Sequence, residues 1–527
     1  MNNRYLSIDE TVKYVNETFK KNVSAGNVSY LIKYGQIKRH LVNGEIHLLK
    51  DDINDYYRKG LTEEVKWKSK IGDDLNWALS FADVKEYERT KHVHRLHPYK
   101  GKFIPQLVEY FLDDHVNSLK KEVFFHPGDI VIDPFCGSGT TLVQANELGI
   151  NAIGIDISEF NSLLSNIKVQ THDLNNLQKT ISSITASLKL KFSEGDWNNF
   201  DDELAKLLTE FNKKNFPTPE ILYRFRSGEI NITDYTNEKV VSVNNLFIDL
   251  QNRHKLVVKE TNTNNSFLNK WYTPPVKSQI IFLINEINKT KDEDIKQILQ
   301  LILSRTSRSC RATTHSDLAT LIEPIFEPYY CHKHNKICKP LFSMLYWWEF
   351  YSNDTVKRLA EFNALRTDTH QICITGDSKT IDLARDLIEK APNLGKLLQE
   401  KKAKGIFSSP PYVGLIDYHE QHAYAYELFQ IERRDSLEIG PQSKGKGLLS
   451  REKYIEDISS VLLNIKKYMQ NDFEIFIVAN DSFNIYPRIA EKSKLRIVEE
   501  FTRPVLNRTE KDKSAYSEKI IHLKDLE

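Results

Sequence analysis

Apolar and polar positions along the chain change period several times, and those changes divide it into blocks. Residues 5–58 read as helix, helix, hairpin, helix. Ser7 followed by Glu10 is a capping-box pattern that opens a helix to about Phe19. Ser24 to Ile32 forms a second helix, stopped at Gly35. Ile37–Val42 and Glu45–Leu49 flank Asn43-Gly44, a hairpin turn, and Asp51 caps a last helix with Ile53, Tyr56 and Tyr57 on its apolar side. Residues 61–95 read as a connector with some helix. Residues 128–170 read strand, Gly-rich turn, helix, strand, helix. Residues 171–370 carry mostly helical polar–apolar pattern, and residues 371–527 return to strand–helix alternation. The fold class expected is therefore α/β, with a mostly helical insert, and the division is 1–60, 61–170, 171–370 and 371–527.

Composition narrows this only a little. At 527 residues with 40% hydrophobic content the chain can bury several cores. No run of about 18 apolar residues occurs, so no membrane span is expected. The start, MNNRYLSIDE, lacks the apolar stretch of a secretory leader, and five cysteines suit a reducing cytoplasm. Lys plus Arg is 73 and Asp plus Glu is 72, a net charge of +1 that neither requires nor excludes a nucleic-acid partner.

The order of elements in residues 5–58 resembles the winged helix-turn-helix module of excisionase and MerR-type proteins. In such modules the second helix enters the major groove and the wing touches phosphate. The matching residues are Asn27, Ser29, Tyr30 and Lys33 on the helix, with Lys38, Arg39 and His40 leading into the wing. The alternative is a small domain that docks on protein.

The most specific string begins where the short strand Ile130–Ile132 runs into Asp133-Pro134-Phe135-Cys136-Gly137-Ser138-Gly139-Thr140-Thr141 and a helix follows. Glycines let the backbone turn tightly against a ligand, and a helix N-terminus offers free N–H groups. The next strand, Ala152–Ile155, ends in Asp156, which suits ribose hydroxyls. A nicotinamide-binding domain would carry a third glycine where Leu142 stands, and a P-loop would carry a Gly-Lys pair that is missing. DPFCGSGTT resembles motif I of the DNA amino-methyltransferases, and Gly154-Ile155-Asp156 resembles their motif II. His97 to Pro105, which contains Tyr99, Lys102 and Phe103, resembles motif X, and Ile374 to Ser378 resembles motif III. The resemblance implies a Rossmann-like sheet that binds S-adenosyl-L-methionine, with motif X over its methionine end and Asp377 at its adenine amino group. Read alone, Asp377 is equally a helix N-cap.

Gly405–Ser408 is a strand edge that leads into Ser409-Pro410-Pro411-Tyr412, which resembles motif IV of the same enzymes. An exocyclic amino nitrogen is a poor nucleophile because its lone pair is delocalised into the ring. Hydrogen bonds to the first motif residue and to a proline carbonyl favour a nitrogen aimed at the methyl donor, and the prolines fix that carbonyl by restricting φ. The base must first leave the duplex, and Tyr412 offers a ring to stack on it. Serine at the first place resembles the cytosine-N4 enzymes; Asp or Asn is commoner in adenine-N6 enzymes.

Asp417 to Phe429 reads as one aromatic-rich helix. GPQSKGKGLLS, with Lys444 and Lys446, reads as a mobile DNA-contacting loop or a solvated linker. Arg503 and Arg508 lie between the last two strands, Arg496–Phe501 and Ser517–Leu523, with the flipped base or phosphate as their expected partner. In the insert, Arg305, Arg308 and Arg311 alternate with hydroxyl residues, a composition that suits phosphate and guanine. A solvated basic helix is the alternative. Cys310, His315, Cys331, His332, His334 and Cys338 are zinc-ligand types. The spacing Cys331-x₆-Cys338 is not that of a zinc ribbon, so buried thiols with surface histidines, and no metal, are expected.

The reading that unites these features is a site-specific DNA methyltransferase acting on cytosine N4 in double-stranded DNA, as half of a restriction-modification system with a cognate restriction endonuclease. Adenine N6 is the alternative base. A methyltransferase of RNA or protein, and a non-catalytic DNA-binding regulator, are alternatives of other classes. The intact DPFCGSGTT and SPPY argue against the regulator.

Overall fold

The computed structural model describes residues 4–42, 44–58, 75–81, 84–99, 101–192, 196–259, 266–315, 323–339, 343–505 and 516–526. Asn43, Lys100 and Arg508 lie outside them, as does much of the 61–95 connector. No helix among the described residues is long and apolar enough to cross a membrane.

The amino-terminal elements follow the expected order, with one short strand added in front. β1 (Tyr5–Leu6) precedes helices Ile8–Phe19 and Ala25–Lys33, the hairpin β2 (Arg39–Val42) and β3 (Glu45–Leu49), and a helix over residues 50–58. The capping box forms as read. The Ser7 N–H donates to Glu10 Oε2 at 2.8 Å, and the Glu10 N–H donates to Ser7 Oγ at 3.2 Å. Leu6, Val15, Val28, Leu48 and Ile53 close a core of their own.

The main sheet contains β4 (Ile130–Asp133), β5 (Asn151–Asp156), β8 (Gln371–Thr375), β9 (Ala403–Ser408), β10 (Met469–Ala479), β11 (Leu495–Pro504) and β12 (Ser517–Asp525). A separate hairpin, β6 (Tyr329–Cys331) and β7 (Lys336–Cys338), falls between β5 and β8 in sequence. The seven strands are ordered β11-β12-β10-β9-β4-β5-β8, parallel except where β12 pairs with β10 and β11. β4, β5, β9 and the second half of β10 are buried almost without interruption because both faces are covered. Val131, Ala152, Phe407 and Phe476 point into one layer, and Ile130, Ile132, Ile153, Ile406 and Ile475 into the other, with the two-residue alternation of a strand.

Residues 171–370 do not pack as one body. Helices Leu174–Lys191, Pro274–Asn288, Glu293–Ser309 and Met344–Asn363 join the first layer of the main core through residues such as Leu177, Leu283, Ile302 and Trp348. Helices Asp196–Asn215, Glu220–Arg226 and Ile232–His254 build a second core around Phe200, Leu222 and Phe247, which Ile337 of β7 completes. The amino-terminal unit docks on this second body. The Arg39 guanidinium lies over the Tyr223 ring at 4.3 Å and 4.0 Å from Glu220, and Arg226 donates to the Tyr34 carbonyl.

Candidate functional site

The carboxyl ends of β4, β5, β8 and β9 open on a single cleft of about 870 Å³, its mouth included, where parallel α/β sheets hold their ligands. Phe135, Gly137, Ser138 and Thr140 line it after β4, Asp156 after β5, and Asp377 after β8. Tyr99, Lys102 and Phe103 close one side, and Ser409 and Pro411 reach it from the end of β9. Five stretches far apart in sequence thus meet as their motifs predict.

The Gly-rich turn explains its own composition. Gly137 and Gly139 have φ of 51° and 74°, in the region that favours glycine. A Cβ on Gly137 would sit 3.0 Å from Tyr99 Oη, and one on Gly139 2.9 Å from Ser165 Oγ. Asp156 draws the turn inward. Its Oδ2 accepts the Gly137 N–H at 2.7 Å, while Oδ1 accepts the Ser158 N–H at 2.9 Å and Asn161 Nδ2 at 3.0 Å. Burial pushes the Asp156 carboxyl up to about 6 against those bonds. Asp377 lines the cleft and is not a helix N-cap: its Oδ1 accepts the Lys379 N–H at 3.0 Å within a turn, and the next helix, Leu383–Lys390, is capped by Asp382.

Four predicted residues stand back from the cleft. Asp133 braces it from below, accepting Ser408 Oγ at 2.6 Å and the Phe135 N–H at 3.2 Å; burial pushes it up to about 6. Gly139 faces Ser165, and Pro410 is buried. Tyr412 is not the free stacking surface expected. Its hydroxyl donates to Glu518 Oε1 at 2.9 Å, and its ring packs on the second apolar layer.

Sequence reading missed Ser158, Asn161, Tyr418, His419 and Glu438, all in the cleft wall. A signal existed for the first two, since Ser158 caps the helix Glu159–Val169 through the Asn161 N–H at 3.3 Å. Glu438 comes from a loop with no pattern. It accepts the Tyr418 N–H at 2.5 Å, and burial pushes it up to about 7. The expected helix over Asp417–Phe429 is two, Tyr418–Gln421 and Ala423–Phe429, parted at the buried His422.

The cleft is chemically unfinished in a way that fits a polar ligand. Ser138 Oγ, Asn161 Oδ1 and His419 Nε2 are buried in its wall with no hydrogen-bond partner among the described residues. Each such group costs about 1–3 kcal/mol unless something bonds to it.

Comparison with known proteins gives the family. The DNA methylase family profile of the N6/N4 type matches residues 9–165. The chain is 46% identical over 527 residues to the type II methyltransferase M.MjaII of Methanocaldococcus jannaschii, covering 98% of this chain and 96% of that protein. The chain belongs to the type II DNA methyltransferases of the N4/N6 class. Shorter matches are to M.MvaI of Kocuria varians, 30% identical over 135 residues (25% of this chain, 28% of that protein), and M.BsoBI of Geobacillus stearothermophilus, 26% over 260 residues (43% and 48%). Methyltransferases of this family use S-adenosyl-L-methionine as methyl donor.

For a DNA methyltransferase, the basic residues are distributed unlike the sequence reading. Arg305 is 5% exposed, donates to Asp354 at 2.5 Å and Thr355 at 2.9 Å, and lies over Tyr351. Arg311 is 3% exposed, donates to the Arg308 carbonyl at 2.9 Å, and lies over Tyr424. Arg308 is half-buried, and its charge helps hold His97 and His422 below the ordinary imidazole range, a shift that burial dominates. Arg305 and Arg311 therefore belong to the protein interior, because the helix Glu293–Ser309 and the turn after it are core elements rather than surface ones, while Arg308 is only partly covered. Arg503 is also buried, with its Nε donating to Glu518 at 3.2 Å. Arg39 is exposed, with its guanidinium over the Tyr223 ring and 4.0 Å from Glu220. Asn27 Oδ1 accepts the Ser24 N–H and hydroxyl, both at 2.8 Å. Lys33, Lys38, Lys444 and Lys446 are exposed, and Ser29 is half-buried. The Lys446 stem lies beside Gly414, two residues past Tyr412.

Proposed function

We propose that this methyltransferase modifies the N4 amino group of cytosine in double-stranded DNA, as the modification partner of a cognate restriction endonuclease. The observation that carries the reading is Ser409, the first residue of SPPY, in the wall of the cleft that Tyr99, Ser138, Asp156 and Asp377 also line.

In this reading those residues hold S-adenosyl-L-methionine, which supplies an activated methylsulfonium when bound. Asp156 takes a ribose hydroxyl and Asp377 the adenine amino group, while Tyr99, Lys102 and Phe103 cover the methionine end. Phe135, Gly137, Ser138 and Thr140 shape the turn that receives it, with Asp133 and Gly139 supporting that turn from behind. Ser409 Oγ and the Pro410 carbonyl accept from the target amino group and orient its lone pair. Attack then needs little beyond alignment. Pro411 fixes that carbonyl. Tyr412 borders the base, its hydroxyl held by Glu518. Ser29, Lys33 and Lys38 on the amino-terminal module, with Lys444 and Lys446 beside the catalytic turn, are the expected phosphate contacts.

The test is nucleoside mass spectrometry of duplex DNA methylated with isotope-labelled cofactor. N4-methylcytosine is expected. N6-methyladenine as the product would overturn the base assignment, and methylation of RNA or protein alone would overturn the substrate class.

A further inference from the structure

The insert contains a second cluster of ligand-type side chains, away from the cleft. His315, Cys331, His334 and Cys338 each direct one ligand atom into a common space, all within 4.8 Å of one another. His315 Nδ1 lies 3.7 Å from Cys331 Sγ. His334 Nδ1 lies 3.7 Å from Cys331 Sγ and 3.4 Å from Cys338 Sγ. A tetrahedral zinc site with ordinary bond lengths has N···S edges of about 3.5 Å and an S···S edge of about 3.8 Å. The two thiols are buried and not joined in a disulfide. The expectation of buried thiols and surface histidines agrees with their burial, since both thiols are buried, His334 is exposed and His315 is half-buried, but it did not foresee that the four converge. It also describes Cys310, which is buried elsewhere, and His332, which is exposed with its ring against Tyr330.

We propose that these four residues form a structural zinc site. Cys331 and His334 span the turn of the β6–β7 hairpin, and Cys338 ends β7. The backbone N–H groups of His334 and Lys333 are directed at the Cys331 sulfur. The Cys338 thiol and the His315 ring face the same sulfur. Tyr329 Oη accepts the His315 backbone N–H at 2.9 Å and lies 2.7 Å from His315 Nδ1, a contact that a metal at Nδ1 would displace. Binding releases the two thiol protons, and the two thiolates then balance the dication.

The site would tie the two parts of the insert together. The hairpin belongs to the second body, where the Asn212 side chain donates to the Ile337 carbonyl at 2.8 Å and accepts its N–H at 2.9 Å. His315 follows the core helix Glu293–Ser309, whose exit strap is fixed where the Ala312 N–H donates to the Trp271 carbonyl at 2.7 Å. A metal here would therefore set the position of the body that carries the amino-terminal module relative to the catalytic sheet.

The experiment is metal analysis of the full, untagged chain purified under reducing conditions without chelator. About one zinc per chain is expected, retained in Cys310→Ser and lost in the Cys331→Ser, Cys338→Ser double variant. Less than about a tenth of an equivalent after zinc is supplied to the wild type would overturn the proposal, as would zinc retained by the double variant. Should that variant fail to fold, cobalt(II) substitution of the wild-type chain decides. Tetrahedral d–d bands with a thiolate charge-transfer band are expected, and their absence would overturn the site.

Discussion

Asp156 makes the assignment of the cleft quantitative. Its carboxylate has roughly four acceptor positions. Bonds from Gly137, Ser158 and Asn161 occupy three, leaving one on Oδ2 for a cofactor hydroxyl. A hydrogen bond to a charged group is worth about 1.5–3 kcal/mol, so Asp156→Asn should weaken cofactor binding about 10- to 150-fold at neutral pH. Because the free protein holds this carboxyl near 6 and binding needs it ionised, affinity should be level above pH 7 and about tenfold weaker at pH 5. The sign for the fold is opposite. A carboxyl raised above its ordinary value stabilises the folded state below the ordinary value, and that contribution is lost as pH rises through about 6. Glu438, in the same wall and near 7, titrates in an adjoining window, so Glu438→Gln should remove any upper inflection and leave the lower one. Calorimetric titration of the cofactor across pH 5 to 8 reads both. An Asp156→Asn variant with wild-type affinity, or a pH profile that keeps its lower step in that variant, would remove Asp156 from the cofactor's contacts.

Ser409→Ala should leave cofactor affinity unchanged and lower the single-turnover methyl-transfer rate, since its acceptor matters only while the amino group is being aligned. Arg503→Met should cost about 1–3 kcal/mol of stability by taking one partner from half-buried Glu518, which still accepts the Tyr412 hydroxyl, seen as a lower denaturant midpoint with the salt dependence of DNA binding unchanged. Lys33→Ala and Lys38→Ala should each make that salt dependence shallower by about 0.9 in log–log slope if each neutralises one phosphate, whereas Arg39→Ala should not.

The cofactor motif was legible because its constraints are local. A turn with two positive-φ residues between a strand and a helix demands Gly137 and Gly139 wherever it occurs, and SPPY is recognised from four consecutive positions. The arginines of 305–311 were not legible. Their spacing along a helix fits a basic surface as well as an interior one. Only Asp354, Tyr351 and Tyr424, all distant in sequence from the arginines they meet, decide the matter. The histidine–cysteine cluster was obscured for a related reason. Cys331 and Cys338 have an unfamiliar spacing on their own, and the hairpin that makes them neighbours also needs His315, which arrives from the end of another element.

The place of the insert follows from the sheet. Motif III normally follows motif II closely, yet here the whole block 171–370 intervenes, and the site still forms. β5 and β8 remain paired in parallel, with Ile153 opposite Ile372 and Asp156 opposite Thr375. β8 is the edge strand, so the chain can leave after β5, build two bodies, and return without crossing the β9-β4-β5 pairing that positions the cleft. The insert is nevertheless not a passive appendage. Ser304 on its core helix lies 3.0 Å from His97, which also meets Tyr424 at 3.1 Å. One buried histidine thus joins the segment bearing Tyr99, the insert and the helix that follows SPPY. Burial holds His97 well below its ordinary range, so it remains a neutral hydrogen-bonding hub at physiological pH rather than a charge that would have to be neutralised inside the core.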